Sequence, residues 1–338
     1  MSLRTSFKKS LLAVSLTAFM SSAAMATDEA ALKLADDAMA ALKQGQIEET
    51  IKLYDDALAQ EQLSDPVKGQ VMSAKANALL EIAWATRQDK PLLEAIDTYN
   101  TAIGILDAKT SPIIWADSNS KLGDAYRSLA FGKYNQNKPE EGAELYNSAI
   151  DAFKAALTVF EKDTNPVEWA TAQRALGQVN ANSDTYNAIE GKALNAARLT
   201  EAANAFKAAM EVFTKEADPV SWAGLQFQLG DIYTTLHQRQ GGTLWLEKSV
   251  LAHKNVLEVL TEKDNPSVWA QVQYFIANGL VELGAAVKNK EMLEDAITAS
   301  KLATESDYFK NIFPEFYERN QINIQVAENL IKKYESEE

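Results

Sequence analysis

Apolar and polar positions in this chain follow a helical period, and the pattern itself returns along the sequence. A polar residue precedes Pro, Trp-Ala follows three positions later, and Leu-Gly comes seven residues after the Trp. The copies are Pro112/Trp115/Ala116/Leu122/Gly123, Pro166/Trp169/Ala170/Leu176/Gly177 and Pro219/Trp222/Ala223/Leu229/Gly230. A fourth, Pro266/Trp269/Ala270, ends in Ile276-Ala277, and a degenerate first copy starts at Pro66. At about 100° per residue, the Trp, Ala, Leu and Gly positions and the residue at Trp+11 share a stripe roughly 120° wide. The +11 residues are Tyr126, Asn180, Tyr233 and Leu280, so the second copy departs from the pattern. Each copy therefore predicts an amphipathic helix. Asp65, Ser111, Asn165, Asp218 and Asn265 stand before the prolines. A capping side chain followed by Pro marks a helix start, because the missing N–H of Pro has no intrahelical partner there.

A second pattern lies between the copies: a small residue, an aromatic four positions on, and Ala three further. It reads Thr50/Tyr54/Ala57, Ala95/Tyr99/Ala102, Ala149/Phe153/Ala156 and Ala202/Phe206/Ala209, then weakens to Ser249/His253/Val256 and Ala296/Ser300/Ala303. The chain thus alternates two kinds of helix. Successive prolines lie 54, 53 and 47 residues apart, and a period of that size means stacked supersecondary units rather than a globule around one pocket. The variable joint falls inside each pair, as at Asn180 to Asn195, where Asn, Gly and Ser accumulate.

Leu-Gly-x-x-Tyr in the first helix and small-x-x-x-aromatic-x-x-Ala in the second resemble the tetratricopeptide repeat. The turn from Ala41 to Tyr54 is similar to that family's inter-helix turn. The units here, at 46 to 54 residues, are longer than the family's, and resemble its long-repeat bacterial variety. The resemblance spans about residues 28–305 and implies an all-α, right-handed superhelical solenoid of antiparallel helix pairs, with a groove that holds peptides or folded partners. It implies no catalysis.

The expected organisation is a leader over residues 1–26, a repeat array over 27–305, and a C-terminal capping helix with an acidic tail over 306–338. In the leader, Arg4, Lys8 and Lys9 precede an apolar stretch from Leu11 to Met20 and the small-residue site Ala24-Met25-Ala26. Cleavage after Ala26 removes three positive charges and no negative ones, taking the net charge from −14 to −14 − 3 = −17. We expect export to the periplasm, with secretion as the alternative and no membrane insertion after cleavage. So acidic a chain repels phosphate backbones, which argues against nucleic acid. At the far end Tyr308, Phe309, Phe313, Phe316 and Tyr317 cluster around Pro314, as expected of a helix covering the last repeat.

Trp115, Trp169, Trp222 and Trp269 occupy one repeat position, which predicts core packing and a cost of about 3–5 kcal/mol for Trp222→Ala. Gly123, Gly177 and Gly230 are expected to let a neighbouring backbone approach. Asn119, Gln173, Gln226 and Gln273 stand at Trp+4 in the middle of the buried stripe. Two accounts fit them: an amide ladder between repeats, or local bonds to backbone carbonyls.

Candidate chemistry is sparse. The chain has two histidines and no cysteine; His253 takes the aromatic slot of a second helix and His237 sits near a helix end. Adjacent carboxylates such as Asp36-Asp37 point about 100° apart on a helix and make no acid–base couple. We therefore expect no enzyme, no cofactor and no metal site. Binding is expected on first-helix residues at −3, +1 and +4 from the Gly position, with Arg127, Arg174, Gln178, Phe227, Asp231, Tyr274 and Asn278 as the candidates. Arg174 with Gln178 and Asn278 suits a carboxylate or peptide amides. The expected partner is a protein or peptide of the cell envelope held by a scaffold. The alternative is a small-molecule or sensory protein with its ligand inside the superhelix.

Overall fold

The structure is a computed structural model that describes residues 22–189, 196–305, 310–311 and 314–337. The leader up to residue 21 lies outside them, as do Tyr308, Phe309 and Phe313. Every regular element among the described residues is a helix, and the helices group into two compact units, 1–160 and 161–338.

The first unit holds α1 (Ser22–Lys43), α2 (Ile47–Leu58), α3 (Asp65–Thr86), α4 (Asp89–Ile105), α5 (Pro112–Asn135) and α6 (Pro139–Ala156). These are three pairs, α1·α2, α3·α4 and α5·α6, and short turns between packed neighbours make each pair antiparallel. The second unit holds α7 (Pro166–Ile189), α8 (Ala196–Met210), α9 (Pro219–Gln240), α10 (Thr243–Leu257), α11 (Pro266–Val287), α12 (Lys290–Glu305) and α13 (Pro314–Glu337). Here the pairs are α7·α8, α9·α10 and α11·α12, and α13 lies against α12 and α11. The fold is an all-α array of helix pairs. The expected joint after Asn180 is in fact helix as far as Ile189, so the polar residues there prolong α7 rather than break it.

The proline starts hold. Pro112, Pro166, Pro219 and Pro266 each open a helix; at α3 the helix begins one residue earlier, at Asp65, with Ser64 as the cap. The Asp218 and Asn265 side chains accept from the backbone N–H of Ser221 and Val268, each at 3.1 Å. Ser64 is held instead by Asp28 of α1, whose carboxylate accepts from its amide at 3.0 Å and its hydroxyl at 2.8 Å.

The second-helix pattern is the core. Thr50, Tyr54, Ala57, Ala95, Tyr99, Ala102, Ala149, Phe153 and Ala156 are all completely buried, and the equivalent residues of α8, α10 and α12 are buried too. Each aromatic reaches the Gly position of its own partner helix. A Cβ built on Gly123 would lie 2.8 Å from Phe153 Cζ, and one on Gly177 would lie 2.7 Å from Phe206 Cδ1; Gly230 meets the His253 ring in the same way. The glycines therefore admit a ring, not a neighbouring backbone. In the last pair the equivalent positions carry exchanged sizes, Ala277 on α11 and Ser300 on α12, both fully buried. At α3 the position is Asn77, whose amide oxygen accepts from the Tyr99 hydroxyl at 2.5 Å.

The tryptophans depart from expectation. Trp115, Trp169, Trp222 and Trp269 are half-buried, while the alanines after them, Ala116, Ala170, Ala223 and Ala270, are the buried residues. The apolar stripe is thus rotated past the Trp, leaving each ring at the rim of the core; Lys215 lies over the Trp222 ring, 5.8 Å from its centroid. The amide ladder does not form. Asn119 Nδ2 donates to Trp115 O at 2.9 Å, one turn back in its own helix, and no hydrogen bond joins Gln226 to Gln173 or Gln273. A hydroxyl pair bridges repeats instead, Ser73 to Ser118 at 2.7 Å between α3 and α5. Lys162–Glu211 and Lys215–Glu258, each 2.6 Å, join the segment four residues before a first-helix proline to the end of the second helix of the same pair. These pairs are half-exposed, so solvent screens them.

Candidate functional site

The open face of each array belongs to the first helices. On α5, α9 and α11 the accessible or half-accessible residues recur at −6, +1 and about +5 from the Gly position: Asp117, Asp124 and Ser128; Gly224, Asp231 and Thr235; Gln271, Asn278 and Glu282. The expected offsets meet this set at +1. At −3 and +4 the outcome is mixed: Ser120, Arg127, Arg174 and Thr234 are half-accessible, while Tyr274 and Val281 of the last pair are buried.

The individual residues follow suit. Arg127 is ion-paired within its own helix, Nη2 to Asp124 Oδ1 at 3.1 Å. Arg174 lies over the Phe213 ring at 5.6 Å, and Gln178 is half-exposed. Phe227 packs edge-on against His253 and Phe275, with centroids 5.8 and 5.9 Å away. Asp231 Oδ1 stands 3.6 Å from His253 Nε2. Tyr274 is no groove residue: it is 3 % exposed, and Phe316 of α13 packs on it at 4.8 Å between centroids. The Asn278 amide oxygen is taken by Asn323 Nδ2 of α13 at 2.5 Å. The C-terminal helix thus covers the face of the last pair on which the sequence placed two candidates, and the carboxylate grip of Arg174, Gln178 and Asn278 is not assembled.

The helix α13 does so through one narrow stripe. Asn320, Ala327 and Tyr334, seven residues apart, are its buried positions, and Tyr334 Oη donates to Ala285 O at 3.3 Å. Asn320 is fully buried, and neither atom of its amide group has a hydrogen-bond partner.

Neither histidine heads a catalytic group. His253 is fully buried and stacked on Phe275 at 5.0 Å, with Ser249 Oγ at 3.3 Å from Nδ1 and itself committed to Gly230 O at 3.0 Å. His237 closes the end of α9, with Nδ1 2.8 Å from Gly242 O and Nε2 3.0 Å from Glu282. Among the described residues no group of three His, Asp or Glu side chains is arranged to hold a metal ion, and no helix is long and apolar enough to cross a membrane. A cavity of about 320 Å³ in the first unit is lined by Leu93, Leu129, Leu145 and the Lys133–Glu141 ion pair at 2.8 Å. Hydrogen bonds from Lys133 and Lys138 hold the Glu141 carboxyl below its usual range.

The first unit carries what the sequence reading missed. Trp84 of α3 and Phe131 of α5 are 48 % and 55 % exposed, the two exposed large aromatic side chains among the described residues. The Trp84 indole N–H donates to Ser128 Oγ at 3.1 Å, which fixes the ring beside α5. Tyr54 and Tyr99 are fully buried in the same unit. Burial first, then Glu81 and Asp36, pushes the Tyr54 hydroxyl up to about 12. Burial, then Asp117, Asp124 and Glu81, raises Tyr99 well above its usual value. Trp84, like Trp245, lies outside the Pro-x-x-Trp-Ala repeat position, and the sequence carries no further signal that marks it.

No family model and no curated protein matches this chain. Among solved structures it is similar to MamA, with 17 % identity, 67 % of this chain and 94 % of that one covered, and a TM-score of 0.41. It is also similar to the TPR2AB domain of yeast Sti1 in its pHSP90 complex, with 14 % identity, 88 % and 98 % covered, and a TM-score of 0.30. A circular tandem repeat protein with novel repeat topology shares 13 % identity over 93 % of this chain and 85 % of that one, with a TM-score of 0.34.

Proposed function

We propose that the chain is a non-catalytic scaffold that holds a polypeptide partner on its first-helix faces. One observation carries this reading: the two exposed large aromatics both lie on first helices of one unit, while the second-helix aromatics are buried or, at Trp245, half-buried. Exposed aromatic rings on a rigid frame are what an interface core is made of. Of the sequence candidates, Arg127, Gln178 and Asp231 stay on or beside this face. We place the scaffold in the periplasm, exported by the leader cut after Ala26, with a cell-envelope protein as its partner. The charged first residues, the short apolar stretch and the small-residue site support that location.

The test is photo-crosslinking in cells, with a crosslinking amino acid at Ser120 or Gln178 on first helices and at Asp97 on the outer side of α4. Capture of one envelope polypeptide from the first-helix positions and not from Asp97 is the expected result. Capture of none from any position, with a small molecule raising the melting temperature, would replace the scaffold by a ligand-binding protein.

A further inference from the structure

The helix α13 lies along α11 as a ligand would. Phe316 packs on Tyr274, the Arg319 guanidinium donates to the Tyr274 hydroxyl, and Asn323 Nδ2 donates to Asn278 Oδ1. Further on, Tyr334 Oη donates to Ala285 O, and Lys288 reaches Glu337 at 3.1 Å. Tyr274, Asn278, Ala285 and Lys288 fall on one side of the helical turn, so α13 follows a single face of α11. It is held there by little apolar area. Of its residues Asn320, Ala327 and Tyr334 are buried, with Leu330 and Ile331 half-buried beside them, whereas α11 buries eleven residues between Ala270 and Gly284. One of the three is a fault in the contact: Asn320 is fully buried, and neither amide atom has a hydrogen-bond partner among the described residues.

We propose that α13 is a releasable occupant of the α11 face: it opens as a unit while the helix pairs stay folded, and leaves the side of Tyr274 and Asn278 to a competing amphipathic helix. The release of α13 is independent of the scaffold reading above; the use of the uncovered face by a partner rests on it. An element with few buried apolar residues opens at a lower free energy than the array it caps, and a buried amide without partners lowers that free energy further. The same contacts define the competitor. It is a helix with an aromatic residue, a cation three positions on and an amide seven positions on, matching Phe316, Arg319 and Asn323. Four positions after the aromatic it carries an apolar side chain, where α13 has Asn320. Such a helix makes every anchoring contact of α13 and strands no polar group. The built-in helix competes through its tether, which holds it at an effective concentration on the order of millimolar. Asn320 thus keeps a tethered occupant weak enough to be replaced.

The experiment uses the full chain and two fluorescein-labelled peptides spanning Pro314–Glu337, one of native sequence and one carrying Asn320→Leu. Fluorescence anisotropy reads binding to the native chain, to a locked chain (Asn320→Leu) and to a loosened chain (Arg319→Ala/Asn323→Ala), each at a temperature where circular dichroism shows the array folded. The Leu peptide is expected to bind the loosened chain at least tenfold more tightly than the locked one, with the native chain between them. The native peptide is expected to bind at least tenfold more weakly than the Leu peptide. Hydrogen exchange read by mass spectrometry is expected to show α13 opening ahead of α11 and α12, and Asn320→Leu is expected to slow α13 at least tenfold while α10 is unchanged. Equal binding to all three chains would place the peptide elsewhere, and the proposal fails. It fails too if neither peptide binds the loosened chain, if α13 exchanges in step with α11 and α12, or if Asn320→Leu speeds its exchange. The scaffold reading is tested separately, by crosslinking from α5 and α7, and survives any of these results.

Discussion

The Gly–ring fit offers a sharp test of how the repeats are held together. Gly123→Ala adds one methyl group, which would sit 2.8 Å from Phe153 Cζ and 2.9 Å from Cε1 and Cε2, against ordinary contacts of 3.4 Å or more. The ring is fully buried, so it cannot swing into solvent and has to press on the rest of the pair. Overpacking of this kind costs about 1–3 kcal/mol, while Gly→Ala inside a helix gains about 1 kcal/mol. The single variant is expected to be destabilised by about 1 kcal/mol, a shift of roughly 3 °C in melting temperature. The decisive measurement is a double-mutant cycle with Phe153→Leu, read from urea midpoints at constant slope. Without the ring the added methyl has room and its helix gain survives, so Gly123→Ala becomes neutral or stabilising, with a coupling of about 1–3 kcal/mol. The chain contains its own precedent in the Ala277 and Ser300 pair, where the larger first-helix residue meets the smaller second-helix one. Equal effects of Gly123→Ala in both backgrounds would refute the idea that the glycine exists to admit the ring.

Other expectations follow from the same geometry. The Tyr54 hydroxyl titrates at about 12 in the folded chain, above the ordinary value near 10 of an unfolded one. The unfolded state therefore loses its proton first; this stability is fully present below pH 10 or so and is lost as pH rises towards 12, and Tyr54→Phe should flatten that fall in urea midpoints. At neutral pH Tyr54→Phe should be harmless, since its hydroxyl has no partner, whereas Tyr99→Phe leaves Asn77 unpaired and should cost about 1 kcal/mol in the same assay. Asn320→Leu replaces a buried amide with no partners and should raise the melting temperature, and a fall would mean that the amide is satisfied in solution. Trp222→Ala should cost about 1–3 kcal/mol by urea unfolding, less than a fully buried Trp, because the ring sits at the rim of the core.

The helix pairs were legible because their signals are local. Pro after a polar residue starts a helix whatever surrounds it, and the period of small, aromatic and Ala residues marks one face of a helix wherever that face is later buried. The second-helix triplets were right throughout, down to His253 and Ser300 in the aromatic slot. Positions on the first helix were less secure, because its apolar stripe is wide and borders neighbours on two sides. A rotation of part of a turn left the tryptophans half-exposed and carried Phe227 and Tyr274 inwards. The candidate site suffered most. Tyr274 and Asn278 have a suitable composition for binding, and nothing near them in sequence announces that a helix some 45 residues later covers them.

By itself, then, the sequence determined the secondary structure, the pairing of helices and the residues at the centre of each pair, since these depend on periodicity and capping within a few turns. Only the tertiary structure decided which side of each first helix stays open, that Gly answers to a ring rather than a backbone, and that α13 lies on the last pair. It also brought Trp84 of α3 beside Ser128 of α5. Such choices rest on packing between side chains far apart in the chain, where volume and charge are matched across helices and no local pattern records the match.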